Sequence, residues 1–282
     1  MTRVDWLTEE QHPDDKAIQE RLTSTGSLPS HIAVIMDGNG RWAQGSGRPR
    51  IDGHREGMES VRAVVKATSQ LGINFLTLYA FSIENWKRPA TEVGFLMRLL
   101  ESYLRKEVDE LDANRVRIRT IGNTNALPKA VQHVLRSAME RTANNQGLTL
   151  TLALSYGARW DLMRAMQLFA LDVRRGKMSP EDVNDETIRA YLQTSFLPDP
   201  DLIIRTSGEM RLSNFLLWEA AYSELYVTDI PWPEFRRAEL YAALCTYLER
   251  ERRFGKTSAQ VQNGDSSSDH ISTLRQILNA FS

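Results

Sequence analysis

The feature that most restricts how this chain folds is an alternation. Short aliphatic runs bounded by turn residues trade places with longer segments of helical spacing. The runs are Ile32–Met36, Asn74–Phe81, Val116–Ile121, Leu148–Ser155 and Leu202–Arg205, with a weaker one at Leu225–Thr228. The helical segments are Glu56–Leu71, Glu92–Leu111, Lys129–Asn144, Trp160–Arg174, Asp185–Gln193 and Pro233–Glu251. Strand–helix alternation predicts an α/β fold: a central, mostly parallel six-stranded sheet flanked by helices. Ligands of such sheets bind beyond the carboxyl ends of the strands, which gathers Asp37, Phe81-Ser82 and Arg205 on one rim.

That core occupies residues 29–255 as one domain. Residues 1–28 read as a polar, irregular N-terminal extension. Residues 256–282 read as a linker (NGDSSSD) and a short amphipathic segment with Ile271, Leu274, Ile277, Leu278 and Phe281 at helical spacing. A formal net charge of −1 over 282 residues leaves no global basic field, so nucleic acid is not an expected partner. The single cysteine, Cys245, lies in an apolar helical pattern and is expected as buried filler in a reducing compartment. The N-terminus lacks a signal-peptide core, and no apolar run approaches the roughly 20 residues of a membrane span. A cytoplasmic protein is expected.

Within this frame one stretch stands out: His31–Ala43, "HIAVIMDGNGRWA". An apolar run ends in Asp37, then two glycines bracket Asn39. Gly38 to Ala43 matches a dinucleotide-binding pattern, but the acidic residue expected about 20 positions on would fall inside a helix. A phosphatase-type aspartyl nucleophile lacks its second carboxylate, because position 39 is Asn. A nucleotide P-loop lacks its Gly-Lys-Ser/Thr ending. A divalent cation resolves the misplaced charge, since Mg²⁺ is held by one or two carboxylates together with substrate phosphates. Asp37 then binds the metal, while the N–H groups of Gly38–Arg41 at the following helix hold a phosphate.

Arg41, Arg48, Arg50, His54 and Arg55 make the next segment locally basic; Arg48 and Arg55 are expected on a solvated face. Far along the chain, "IIRTSGEMRLSNF" supplies Arg205, Arg211 and Ser213 among turn residues. Arginine suits bidentate phosphate recognition, so two phosphate-bearing substrates, or one long one, are indicated. Between them, Val93–Leu104 is apolar around much of its circumference. That pattern suits a buried core or dimer helix, or a helix that packs on the sheet and lines an apolar channel. Two diphosphates, Mg²⁺ and an apolar channel suggest isoprenoid chemistry. The trans-type synthases carry Asp-Asp-x-x-Asp, which the lone pair Asp14-Asp15 does not match.

The motifs "HIAVIMDGNGRWA", "GHREG", "YAFSIENWKRP", "LIIRTSGEMRLSNFLLWEAAYSELYV" and "RERRFG" closely resemble the cis-prenyltransferase family, nearest to the bacterial undecaprenyl diphosphate synthases, over about Leu28–Gly255. Ala158 in "SYGAR" stands where the family often has a second glycine. The resemblance implies Mg²⁺-dependent, head-to-tail condensation of isopentenyl diphosphate onto an allylic diphosphate such as farnesyl diphosphate. The product would be a long-chain cis-polyprenyl diphosphate, of the kind that precedes the cell-wall lipid carrier. It implies Asp37 and Asn85 as catalytic residues, and Asp37 and Glu224 on the metal. Gly38, Asn39, Gly40, Arg41, Arg50 and His54 would hold the allylic diphosphate, with Trp42 bordering it. Arg205, Arg211, Leu212 and Ser213 would form the isopentenyl diphosphate site. Ser82, Ile83, Glu84, Trp86 and Arg88 would belong to a mobile segment over both, and Phe81 would begin a water-excluding lid. The small Ala80 would leave the channel open for a long product. Arg253 and Gly255 match a C-terminal Arg-x-Gly near the interface of a homodimer, and transient membrane association for product release is expected. Non-catalytic relatives of the family would be expected to lose Asp37 or the glycines, which are present here.

Overall fold

The computed structural model describes residues 5–6 and 13–250. Six strands, β1 (His31–Ile35), β2 (Phe75–Ser82), β3 (Arg117–Ile121), β4 (Thr149–Tyr156), β5 (Leu202–Arg205) and β6 (Glu224–Val227), form one sheet in the order β3-β4-β2-β1-β5-β6. Every pairing among them is parallel. β1 and β4 are buried along their whole length, as strands covered on both faces must be. Alternate residues feed two layers: Ile32, Val34, Leu76 and Leu78 join the larger core, while Ala33, Ile35 and Ala153 join a second one around Phe215.

The helices are α1 (Pro13–Ser24), α2 (Asn39–Gly45), α3 (Arg50–Gln70), α4 (Ala90–Ala113), α5 (Lys129–Arg141), α6 (Ala158–Arg174), α7 (Asp185–Tyr191) and α8 (Arg237–Glu249). The N-terminal extension is not irregular where it is described. α1 buries Ile18 and Leu22 in the larger core. One helix expected after Asp37 is two: α2 stops at Gly45 and α3 starts after Pro49, six residues before the expected Glu56. Gly53 and Gly57 in its first turns disguise that start. Gly53 is needed because a β-carbon there would stand 1.8 Å from the Asn39 carbonyl oxygen; the glycine lets α3 press against the loop after β1. α8 begins at Arg237, after a 3₁₀ turn at Trp232–Glu234, and not at Pro233. Glu251, Arg253, Gly255, the linker and the C-terminal stripe lie outside the described residues.

One irregularity shapes the rim. Tyr79 pairs with Ala153 and Phe81 with Leu154, so Ala80 has no partner on β4; the ladder then resumes at Ser82–Tyr156, skipping Ser155, whose φ is 50°. This bulge resets the pleat. Leu76 and Leu78 face the larger core, and Phe81, three residues on, faces it again.

Candidate active site

β1 and β5 are neighbours whose connections leave in opposite directions along the sheet, so a crevice opens beyond their carboxyl ends. Ile35 pairs with Arg205 there. The chain leaves β1 through Asp37 and turns at Gly38, whose φ of 98° is open to glycine and strained for other residues. A β-carbon at Gly38 would also stand 2.6 Å from the Ser207 hydroxyl. No side chain caps α2, so the N–H groups of its first turn face outward without an intrahelical acceptor. The Arg50 guanidinium lies over this turn, 2.6 Å from where a β-carbon on Gly40 would be.

Asp37 stands between two guanidiniums. Its Oδ2 accepts from Arg205 Nη2 at 2.9 Å and lies 3.5 Å from Arg41 Nη2; its Oδ1 accepts from Gly38 N at 2.7 Å. Thr206 fixes the backbone: its hydroxyl accepts from Asp37 N at 2.9 Å and donates to Asp37 O at 2.7 Å. Arg205 is buried. Its Nη1 donates to Ser213 Oγ at 2.7 Å and to the Arg211 carbonyl, while its Nε has no hydrogen-bond partner.

A second set of charges surrounds His54. Glu92, in the first turn of α4, accepts from Arg88 Nη1 at 3.1 Å and lies 3.7 Å from both Arg50 Nε and His54 Nε2. Burial pulls the His54 ring down to about 4, with Arg88 and Arg50 adding to the effect and Glu92 opposing it. The ring is therefore neutral at pH 7, and its buried Nε2 has no hydrogen-bond partner; neither has Asn39 Oδ1. Buried polar atoms without partners are rare. Three of the seven such atoms among the described residues belong to His54, Asn39 and Arg205, which line the two cavities that meet at Asp37.

The segment after β2 is a 3₁₀ turn, Ile83–Lys87. Ser82 and Asn85 cap it reciprocally: Ser82 Oγ accepts from Asn85 N at 3.3 Å, and Asn85 Oδ1 accepts from Ser82 N at 3.1 Å. Two cavities meet at this segment and at Asp37. The first, about 210 Å³, has a polar mouth of Asp37, Arg41, Arg50, His54 and Arg88. Its apolar interior runs between β2 and the helices α3 and α4, along Val61, Ala80, Leu96, Leu100 and Tyr103. α4 thus uses two faces: Leu104 and Leu111 enter the core, while Leu96, Leu99 and Leu100 line the cavity. The second is a groove lined by Asp37, Ser82, Glu84, Asn85, Arg88, Arg205 and Ser213.

Several expected site residues stand elsewhere. Trp42 lines neither cavity; its indole N–H donates to Glu234 at 2.7 Å and Arg48 lies over its ring at 4.2 Å. Trp86 donates to Ser155 Oγ at 2.9 Å and packs edge-on against Phe81. Ile83 lies against Gly157, and Leu212 packs on the second core. Arg211 is exposed, pairs with Glu209 at 2.6 Å and offers the site its carbonyl. Glu224 is at the opposite rim: it opens β6, pairs with Leu202, and binds Arg250 at 2.6 Å. Within one chain it does not join Asp37. Conversely, Glu92, Thr206 and Asn214 belong to the site and were not singled out from sequence. A first-turn glutamate reads as an ordinary helix-dipole partner, and Asn214 as one more turn residue. Cys245 is buried as expected, with its thiol pushed up to about 11 by burial.

Among the described residues no group of three His, Cys, Asp or Glu could hold a metal. A lone Asp37 whose Oδ2 faces the junction of two arginine-bearing cavities fits a hard cation that is completed by phosphate oxygens. It does not fit a cage made of protein alone.

The chain matches the family model described as "Putative undecaprenyl diphosphate synthase" over residues 35–255. It is 50% identical over 260 residues to an isoprenyl transferase of Chlorobaculum tepidum, covering 92% of this chain and 98% of that one. It is 53% identical over 234 residues to an isoprenyl transferase of Geobacter sulfurreducens, covering 83% and 95%. Its fold matches the crystal structure of lavandulyl diphosphate synthase from Lavandula x intermedia in complex with dimethylallyl diphosphate, with a TM-score of 0.80 and 37% identity over 81% of this chain and 99% of that one. The chain belongs to this prenyltransferase family; it is an enzyme that transfers prenyl groups.

Proposed function

We propose that the chain is a Mg²⁺-dependent cis-prenyltransferase. It condenses isopentenyl diphosphate head to tail onto an allylic diphosphate, farnesyl diphosphate being the expected primer, and yields a long-chain cis-polyprenyl diphosphate of the undecaprenyl type. The observation that carries this reading is the position of Asp37. One carboxylate stands where two arginine-bearing cavities meet, and only one of them continues into an apolar interior. The cavity with the interior takes the allylic substrate: α2 N–H groups, Arg50 and the orphaned His54 Nε2 receive its diphosphate and the apolar walls receive its tail. The groove takes isopentenyl diphosphate on Arg205 and Ser213. The Lavandula relative was solved in complex with dimethylallyl diphosphate, which supports an allylic diphosphate as a substrate class for this fold.

In the reaction the allylic C–O bond breaks and the diphosphate departs with its electron pair. The isopentenyl double bond forms the new C–C bond, and a proton leaves to close the cis double bond. Asp37 would hold Mg²⁺, which neutralises charge on the departing diphosphate. Arg41 and Arg50 stabilise the same charge, while Arg205 holds the isopentenyl diphosphate group, which stays on the product side of the groove until the bond has formed. Asn85, at the wall common to both cavities, orients the group that takes the proton, a diphosphate oxygen or a water, since an amide is a poor base. Phe81 and the turn after it exclude water. Exposed Tyr222, Leu225, Val227 and Ile230 along the unpaired edge β6 support a homodimer, and only across such a dimer does Glu224 keep a metal-side role. Among the described residues no helix is long and apolar enough to cross a membrane.

The test is incubation of the purified chain with farnesyl and isopentenyl diphosphates, with and without Mg²⁺, and mass spectrometry of the products. Elongation by successive five-carbon units that requires the metal is expected. No elongation with metal present would refute the reading.

A further inference from the structure

The segment after β5 carries four residues that are not glycine with positive φ: Ser207 at 73°, and close together Ser213 at 49°, Asn214 at 63° and Leu216 at 45°. Such conformations persist only where the surroundings enforce them, and they concentrate at functional sites. Here the enforcement is visible. Phe215 is fully buried and its ring stacks on Tyr79 at 4.4 Å between centroids. The Tyr79 hydroxyl donates to Tyr156 O at 3.1 Å and to Ser213 O at 3.3 Å.

Asn214 does more than turn the chain. Its carbonyl accepts from Ala158 N at 2.8 Å, and its Oδ1 accepts from Arg159 N at 2.9 Å, so it caps the start of α6 from outside that helix. Its Nδ2 donates to Glu84 Oε1 at 2.9 Å, across to the 3₁₀ turn after β2. Gly157 leaves the room: a β-carbon there would stand 2.6 Å from that Nδ2. One half-buried amide therefore joins the end of β4, the loop after β5 and the segment after β2. Its neighbour Ser213 accepts from Arg205, which in turn holds Asp37.

We propose that Asn214 is a positioning residue for the second substrate. It clasps the Glu84-bearing turn onto the Arg205–Ser213 loop, so that both walls of the isopentenyl diphosphate groove are set together. The proposal rests on the assignment of that groove to isopentenyl diphosphate. It predicts a selective effect. Loss of the clasp weakens productive use of the substrate in the groove and spares the allylic cavity, which none of Glu84, Asn214, Arg205 and Ser213 lines.

The test is steady-state kinetics of the full chain with farnesyl and isopentenyl diphosphates and Mg²⁺. Asn214→Gly keeps the backbone at φ 63° and removes both side-chain bonds without adding charge. Its kcat/KM for isopentenyl diphosphate is expected to fall by about 10- to 100-fold, the range of one hydrogen bond to a charged group, while KM for farnesyl diphosphate stays within about two-fold. Asn214→Asp retains an acceptor for Arg159 N but turns a like charge toward Glu84; the same selective loss is expected, and it serves where the glycine loosens the loop. In a Glu84→Ala background, adding Asn214→Gly is expected to cost less than about two-fold. An unchanged kcat/KM in both variants, an equal rise in both KM values, or a full additional loss in the Glu84→Ala background would overturn the proposal. A parent chain that does not condense the two substrates would instead overturn the assignment beneath it.

Discussion

The two rims of the same sheet make opposite use of similar groups. At the amino rim, His31 is buried, with burial pulling its ring down to about 4 against the opposing pull of the Pro198 carbonyl and Asp201. Both ring nitrogens are occupied, by Pro198 O and Thr77 Oγ1, each at 2.8 Å. Asp201 accepts from Ser30 N and His31 N, and Glu224 meets Arg250. At the carboxyl rim, His54 is depressed to the same value by the same cause, yet its Nε2 has no partner, like Asn39 Oδ1 and Arg205 Nε. A displaced titration reports burial at either rim. An unmet hydrogen bond alone does not separate the rims, since Arg117 Nε at the amino end of β3 is also unpartnered; what marks His54 is its place on a cavity wall beside Arg50 and Arg88.

The contrast breaks most visibly at Asp37. Asp37→Ala removes a half-exposed carboxylate but leaves the buried Arg205 guanidinium without it, so unfolding free energy should fall by about 1–3 kcal/mol in denaturant titrations. Turnover should drop by about a thousand-fold or more, because the interaction lost acts on developing charge. His31→Ala should do the reverse: it empties a buried site and strands Thr77, costing about 2–4 kcal/mol of stability, while kcat/KM of the folded fraction holds.

A third test uses pH. Each histidine titrates at about 4 when folded against an ordinary 6.5, so between those values the unfolded chain binds more protons. The stability contributed by keeping them neutral is present above pH 6.5 and is lost as pH falls toward 4. Denaturant midpoints should follow that slope, and His54→Gln should shallow it by about one proton. The smallest effect is expected at Glu224. Its pair with Arg250 is largely solvent-facing, so Glu224→Ala should shift stability by no more than about 1 kcal/mol. A loss of turnover beyond that shift would carry this carboxylate into the site of a partner subunit.

Double-sided burial made β1 and β5 legible as unbroken aliphatic runs, Ile32–Ile35 and Leu202–Ile204, whereas β3, with Arg117, Arg119 and Thr120, was legible only as a short β-branched stretch between turns. Helix starts were less so. α3 hides behind glycines chosen for a close approach, and α1 looks polar because two buried apolar positions in twelve residues leave a faint stripe. At the site, Asp37 and Arg205 were readable as a carboxylate and a base at strand ends, and Arg50 and His54 as bases on the helix after the glycine turn. Glu92 and Asn214 were not, because their roles come from neighbours distant in sequence: His54 and Arg50 for one, Glu84 and Arg159 for the other. Glu224 shows the limit of motif reading. The strand it opens runs parallel to its neighbours, so its first residue lies on the rim away from Asp37.

The bulge at Ala80 has one more implication. A residue left out of the ladder is released from the demands of pairing, yet this one borders the greasy well on one side and leads into the capping turn on the other. Its side chain is thus a dial that sits outside the hydrogen-bonded frame. Bulk added there takes up room in the well while every rung of the β2–β4 ladder stays in place.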